Sequence, residues 1–344
     1  MSDVVERRGV EGEPLEDAGA TVAPAPGRPR VVRRRPPRQR RKLPGGWLPY
    51  VLIAPAVVFE LAVHIIPMLV GVAIAFLRLT QLYLRNWTSA PFAGLENFRV
   101  GLDPSNAIGA SLLSSAGITL AFTVLSVGVS WALGMLAAVL LNTTFRGRGI
   151  IRTLFLIPYA LPAYVVVLAW GFMFNQRDGA VNSILVDDLH LLGAKPFWLL
   201  GGTNSFIAIV VVHTWKLWPF AFLMLLAALQ NINDDVYEAA ALDGATMWSA
   251  FRQITLGMIR PANTVLLLVM SLWTFNEFNT PYLLFGSAPP ASARLISEQI
   301  YINSFRNFNF GLGAAMSVLL LVALVGVSLL YLRLVNRKGD TVDA

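Results

Sequence analysis

Two stretches of this chain set ionisable and hydrogen-bonding side chains inside runs that are otherwise apolar. The first is His213-Thr214-Trp215-Lys216-Leu217-Trp218-Pro219-Phe220; the second is Trp273-Thr274-Phe275-Asn276-Glu277-Phe278-Asn279. On a helix His213, Lys216 and Phe220 follow i, i+3, i+7 and share one face, while Trp273 and Glu277, at i, i+4, share another. Polar groups within long apolar segments are expensive, so they default to functional candidates. Aromatic faces beside hydrogen-bonding groups suit a sugar, whose C–H face packs on rings while amides and carboxylates take its hydroxyls. Three readings of Lys216 and Glu277 stay open: an ion pair holding two helices together, direct hydrogen bonds to a substrate, or contacts with a second subunit. Glu60 and His64, also at i, i+4, read as a structural pair or a cavity-facing contact rather than a proton relay.

Covalent and metal chemistry have little to work with. The chain has no cysteine, and its three histidines, His64, His190 and His213, are scattered. Thiol chemistry and disulfides are thereby excluded, and no metal is expected. Neither Gly-x-Ser-x-Gly nor His-Glu-x-x-His occurs, which argues against an intramembrane enzyme. No Gly-x-x-x-x-Gly-Lys-Ser/Thr occurs either, so the chain cannot cradle ATP phosphates in a Walker loop.

The elements that must position these residues are membrane helices. Of the 344 residues 56% are hydrophobic and only 14% charged, against roughly 25% charged in an ordinary soluble domain. Several segments approach the roughly 20 apolar residues an α-helix needs to cross a bilayer. Six spans are predicted, at about 48–77, 114–141, 150–174, 205–230, 262–285 and 311–333. The fold class is therefore all-α, a six-helix membrane protein. The net charge of +7 could suggest nucleic acid, but its distribution argues otherwise. From Arg28 to Lys42 nine basic residues and no acidic one precede the first span, a topology signal that also suits anionic headgroups. Residues 1–46, rich in Pro, Gly, Glu and Arg, are expected to be a disordered cytoplasmic tail. The transmembrane domain is expected over 47–335 and a short cytoplasmic tail over 336–344. Arg146, Arg148 and Arg152 crowd the connection between spans two and three, and Arg333, Arg337 and Lys338 follow span six; both places, and hence both termini, are expected in the cytoplasm. Loops at about 78–113, 175–204 and 286–310 face outward, with pieces such as Phe92-Ala93-Gly94-Leu95-Glu96-Asn97-Phe98 as interfacial caps. Pro55, Pro67, Pro158, Pro162, Pro219 and Pro281 fall within the spans, as in the broken helices that line transporter cavities. Gly311, Ala315 and the Ser126/Ser130 pair have small-residue spacing for close helix packing.

The longest inward loop, 231–261, holds Glu238-Ala239-Ala240-Ala241-Leu242-Asp243-Gly244-Ala245, with Ile254-Thr255-Leu256 beyond it. Asp235 and Glu238 stand at capping-box spacing, which predicts a helix starting near Asp235. Gly244 supplies a chain reversal, and a second helix from Met247 to Leu256 leads to Pro261 and span five. Small side chains let a partner approach the backbone closely. The loop is inert as chemistry and is a lever as mechanics.

This arrangement resembles the permease subunits of binding-protein-dependent ABC importers, whose inward loop carries Glu-Ala-Ala, Gly and Ile-x-Leu-Pro. Here Glu238, Ala239, Ala240, Gly244, Ile254 and Leu256 match, with Gly257 in place of the proline. Over about residues 95–335 the chain is most similar to the carbohydrate branch, in particular the larger maltose-type subunit. The similar stretches include Ile157-Pro158-Tyr159-Ala160-Leu161-Pro162, Phe174-Asn175-Gln176, Ala194-Lys195-Pro196, Phe275-Asn276 and Phe310-Gly311-Leu312-Gly313-Ala314-Ala315.

The resemblance implies a six-helix importer core with cytoplasmic coupling helices in a prokaryotic plasma membrane, moving a sugar or oligosaccharide by alternating access. It implies coupling through Glu238, Ala239, Ala240, Asp243 and Gly244, and a sugar cavity lined by Tyr159, His213, Lys216, Leu217, Phe220, Met270, Trp273, Thr274 and Glu277. Lys216, Glu277 and His213 depart from the neutral, amide-rich lining of maltose-type members, so maltose itself is not the expected substrate. The implied partners are a second permease subunit, a dimer of ATP-binding subunits, an extracytoplasmic solute-binding protein and membrane lipids. The chain itself would bind no cofactor and hydrolyse nothing. Rival readings are an importer for glycerol phosphates, polyamines or amino acids, and, from another class, a channel or secondary transporter.

Overall fold

A computed structural model describes residues 47–337, and the tail expected over 1–46 lies outside them, as do residues 338–344. The chain divides at Ala56 into two units. The first contributes, among the described residues, only opening turns of a first helix, exposed along their length. All packing described below belongs to the second.

The described residues are helical, with two isolated β-bridges and no longer strand. Four helices are long and apolar enough to cross a bilayer: α1 (Leu48–Ile74), α3 (Ala107–Asn142), α6 (Gly202–Leu229) and α12, whose apolar part is Phe310–Val335. Two bent pairs raise the number to six. In the first, α4 (Arg148–Ala160) meets α5 (Ala163–Met173) at 90°. The break falls at Leu161-Pro162, where Pro162 cannot donate to the preceding turn. In the second, α8 (Met247–Met258) meets the segment Arg260–Phe285 at 73°. That segment is itself interrupted, as α9 (Arg260–Phe275) and α10 (Asn279–Phe285). Pro261 stands in the first turn of α9, where its missing N–H is harmless. The expected spans three and five are thus broken helices. Span two starts earlier than expected because Asn106 caps α3, accepting from the backbone N–H of Ile108 at 3.0 Å and of Gly109 at 2.8 Å.

α3 and α6 form the central pair, with 44% and 56% of their most apolar windows buried, against 6% for α12. Close approach depends on small residues. Ser126 and Ser130 are fully buried on α3, and a Cβ on Gly134 would stand 2.7 Å from the Cβ of Ala221 on α6. Around this seam Phe222, Leu225, Leu266 and Met270 build the largest core cluster. The broad apolar surfaces left exposed suit hydrocarbon or another apolar protein face, not water.

Loop segments tie the helices at one end. The short helix α2 (Glu96–Leu102) buries Asn97, whose amide donates to the carbonyls of Ala75 and Leu77, both at 2.9 Å. Gly311 lies where a Cβ would stand 2.0 Å from the Leu77 carbonyl oxygen, so only glycine fits there. The helix α11 (Ile296–Tyr301) lies across α3, the Ile296 N–H donating to Thr119 Oγ1 at 2.8 Å. Its Glu298 is almost completely buried, with one carboxyl oxygen accepting from the Leu295 N–H at 3.1 Å.

Candidate functional site

The two polar stretches meet. His213 on α6 and Thr274 on α9 are buried, with His213 Nε2 3.0 Å from Thr274 Oγ1. On its other side His213 Nδ1 lies 3.5 Å from Glu277 Oε2, an ion-pair distance at which no hydrogen bond forms. Glu277 stands in the break between α9 and α10, and its other oxygen is fully engaged. Oε1 accepts from the Thr280 N–H at 2.7 Å and from its hydroxyl at 2.8 Å. These bonds serve N–H groups that an interrupted helix leaves without partners. Phe122 of α3 closes the cluster from behind, its ring 5.1 Å from that of His213.

Beside this cluster runs a ladder of rings. Tyr159 stacks on Phe220 at 5.8 Å and 27°, and Phe220 meets Trp273 at 5.0 Å. Tyr159 reaches the ladder because it lies one residue before the end of α4, at the proline break. Tyr159 and Trp273 are 48% and 50% exposed, so the ladder presents open ring faces. Lys216 lies on the α6 face between His213 and Phe220, half-buried. It forms no ion pair with Glu277; the acid faces His213 instead. Leu217 and Met270 pack in the core behind, against Phe222 and Leu266. The nine residues therefore sort into an exposed ring ladder, a buried polar cluster, one ammonium and two packing groups. Thr280 and Phe122 complete the cluster without having been singled out. Thr280 carried a faint signal as the residue three beyond a carboxylate and just before a proline; Phe122, one apolar residue among many, carried none.

The loop 231–261 folds as an elbow. α7 (Asp234–Leu242) begins one residue before the expected start and is capped by Asn233, whose side chain accepts from the Asp235 N–H at 3.3 Å. The expected Asp235–Glu238 capping box does not form, because Asn233 already supplies the cap. At the other end Gly244 adopts φ +79°, and the N–H groups of Ala245 and Gly244 return to the carbonyls of Ala240 and Ala241. This pair of bonds is the Schellman arrangement, which needs a residue tolerant of left-handed backbone. Thr246 then caps α8, accepting from the Ser249 N–H at 3.2 Å. Tyr237 of α7 and Thr255 of α8 bridge through their hydroxyls at 3.0 Å. The bend leaves Leu242 90%, Met247 92% and Trp248 68% exposed. Glu238, Ala239, Asp243 and Gly244 lie on the same exposed elbow, whereas Ala240 is buried. Gly257, which replaces the expected proline, sits inside α8 with open space about it. The elbow and the ring ladder share a core: Ile232, Ile259, Tyr237 and Leu256 pack into the cluster that holds Leu217 and Met270. Glu60 and His64 pair at 3.2 Å on an exposed face of α1.

Among the described residues no group of three or more His, Cys, Asp or Glu could hold a metal ion. Residues 130–339 match the family described as the inner membrane component of binding-protein-dependent transport systems. The chain belongs to that family. It is 33% identical over 291 residues to the inner membrane ABC transporter permease protein YcjO of Escherichia coli, covering 84% of this chain and 94% of the relative. It is 34% identical over 251 residues to the trehalose/maltose transport system permease protein MalF of Thermococcus litoralis, covering 73% and 82%. To the sn-glycerol-3-phosphate transport system permease protein UgpA of Agrobacterium fabrum it is 30% identical, covering 86% and 97%. Its fold is similar to a chain of a bacterial ABC transporter that imports the polysaccharide alginate, with TM-score 0.70, 22% identity and coverage of 85% and 96%. The chain is therefore an inner-membrane transport permease with the all-helical importer fold.

Proposed function

We propose that this permease imports a sugar or oligosaccharide, driven by ATP that a separate subunit hydrolyses. The observation that carries this reading is the half-exposed ladder of Tyr159, Phe220 and Trp273 beside the polar cluster in which His213 bonds Thr274 and faces Glu277. Open ring faces take the C–H side of a sugar, and neighbouring carboxylate, hydroxyl and ammonium groups take its oxygens. The trehalose and maltose named for one relative support the same class.

The chain works as one of two permease subunits, with an extracytoplasmic binding protein delivering substrate to the outward side. A dimer of ATP-binding subunits grips the elbow at Glu238, Ala239, Asp243 and Gly244, where Leu242 and Met247 stand exposed, while the buried Ala240 packs the elbow from within. Closure of that dimer moves α7 and α8, and the shared core carries the displacement to α6 and α9. The ladder then alternates between the two sides of the membrane through a bistable packing. Leu217 and Met270 act from behind the cavity wall. Residues 47–335 form the transport domain with its coupling loop at 231–261, lipids surround it, and both termini lie in the cytoplasm.

The test is purification from the native membrane followed by uptake in proteoliposomes. Recovery of an ATPase, a second permease and a binding protein, with ATP-dependent sugar uptake, is the expected result. A lone chain that moves solute without ATP would overturn the reading in favour of a channel or secondary transporter.

A further inference from the structure

We infer that the groove between α3 and α4 binds an anionic phospholipid, with an acyl chain along the groove and the phosphate on Arg148 and Arg152.

The groove, of about 320 Å³, is lined by Leu133, Leu136, Ala137 and Leu140 of α3, Phe155 of α4 and Trp218 of α6. Every lining residue is apolar or aromatic. Leu133, Leu136 and Leu140 are exposed, and the rings of Phe155 and Trp218 meet edge to face at 5.2 Å. From Leu133 to Leu140 the helix rises about 10 Å, roughly a third of the hydrocarbon core. That length suits part of one acyl chain.

One end of the groove is fixed by contacts. α3 and α6 run the same way, because Ser130 Oγ donates to the Thr214 carbonyl at 3.5 Å and Gly134 meets Ala221 further along both helices. The end of α3 at Asn142 therefore lies beside the end of α6 at Leu229, where the elbow begins. This is the side proposed above to face the cytoplasm. Arg152 donates there to the carbonyl of Leu141, the residue after the lining Leu140, and lies three residues before Phe155 on α4. Its Nε has no partner. Arg148 donates to the Thr143 carbonyl at 3.5 Å, and Arg146 is exposed in the turn between the helices.

This end carries charge without a counter-charge of its own. No acidic residue occurs between Asp103 and Asp178. Among the described residues none of the three arginines pairs with an acid, those of the elbow (Asp234, Asp235, Glu238 and Asp243) included. A groove that is apolar along its length and cationic at one end matches a lipid, apolar along its chain and anionic at its head. The planar fork of arginine suits a phosphate. A second permease is a poorer match, because its own cytoplasmic loops would bring further lysine and arginine to the same end.

The assembled importer would be purified in neutral detergent and titrated separately with phosphatidylglycerol and phosphatidylcholine, bound lipid being counted by native mass spectrometry. One phosphatidylglycerol per copy of this chain should be held at concentrations about tenfold below those that phosphatidylcholine needs. The doubly substituted Arg148→Gln/Arg152→Gln protein should lose that preference, whereas Arg148→Lys/Arg152→Lys should keep it, which separates lost charge from disturbed folding. Leu136→Trp, on the exposed face, should displace the lipid with both arginines in place. Equal retention of the two lipids would overturn the inference, as would retention unchanged by both the glutamine and the tryptophan substitutions. Displacement of the lipid by an equal concentration of glycerol 3-phosphate would also overturn it, in favour of a site for free phosphate. The chain has no cysteine, so Leu136→Cys reports the neighbour of the groove; its cross-linking to the second permease would assign the groove to that subunit and overturn the lipid site.

Discussion

The ring ladder with its polar cluster and the α7–α8 elbow invert each other. At the first, His213 and Thr274 are buried between apolar helices and bonded to each other, while Glu277, little exposed, lies 3.5 Å from the imidazole and bonds to Thr280. At the second, Leu242, Met247 and Trp248 are apolar groups exposed on a polar loop. A buried polar cluster is stable only when its bonds are complete. An exposed apolar patch is stable against water only when covered. One region has thus built most of its complement inside the chain, while the other leaves apolar side chains open for the partner proposed above. The core around Leu225, Leu266 and Met270 joins them, and it is the route along which the proposed coupling would run.

That contrast makes the two regions separable by mutation. The largest effect is expected at the elbow. Gly244→Val puts a β-branched residue at φ +79°, which opposes the left-handed backbone by about 1–2 kcal/mol and reshapes the exposed turn. Uptake should fall to background while the protein still inserts; uptake near the wild-type rate would remove the lever from the mechanism. In the polar cluster, Glu277→Leu strands the N–H and hydroxyl of Thr280, with an expected loss of about 2–3 kcal/mol of stability. Thermal unfolding in detergent measures it, and an unchanged melting temperature would mean that the cluster is not held together by these bonds.

A pH titration sharpens the comparison with a second buried acid, on α11, that feels the charge of Glu277. Burial pushes Glu298, on the short helix α11, up to about 9. The folded protein therefore holds a proton that the unfolded chain releases near the ordinary value of 4.5. Stability from this group is complete below that value and declines as pH rises toward about 9. Glu298→Gln should flatten the slope of stability against pH between neutrality and pH 9, read from unfolding midpoints. An unaltered slope would assign the dependence to other groups. The smallest effect belongs to Tyr237→Phe, which removes the 3.0 Å hydroxyl bridge to Thr255. A loss of about 1 kcal/mol is expected, together with ATP hydrolysis less tightly coupled to uptake; equal coupling ratios in variant and wild type would show that the bridge only packs.

Much of this architecture was legible in local sequence. Apolar runs marked the spans because the bilayer demands length and apolarity before anything else. Pro162 announced the break in span three, since its ring removes a donor whatever surrounds it. Gly244 announced the turn after α7 for an equally local reason. The cap of α7 was misplaced by one step because Asn233 and Asp235 are both good caps, and only the fold shows which side chain meets an N–H group. The break between α9 and α10 was announced by Pro281, which cannot donate to the Glu277 carbonyl, but the bonds from Thr280 to the Glu277 carboxylate that fix its geometry were not.

The sequence by itself determined a membrane-spanning helical permease, its elbow, and the stretches where polar groups had to be accounted for. Those properties follow from composition and near-neighbour chemistry, which act over a few turns of chain. Tertiary structure alone decided that Glu277 faces His213 rather than Lys216, that Leu217 and Met270 pack behind the ring ladder, and that Tyr159 joins it from another helix. Partners 61 or 64 residues apart along the chain, as His213 is from Thr274 and Glu277, are chosen by how helices cross. For α3 and α6 that crossing is close because the small residues Ser126, Ser130 and Gly134 let the two helices approach.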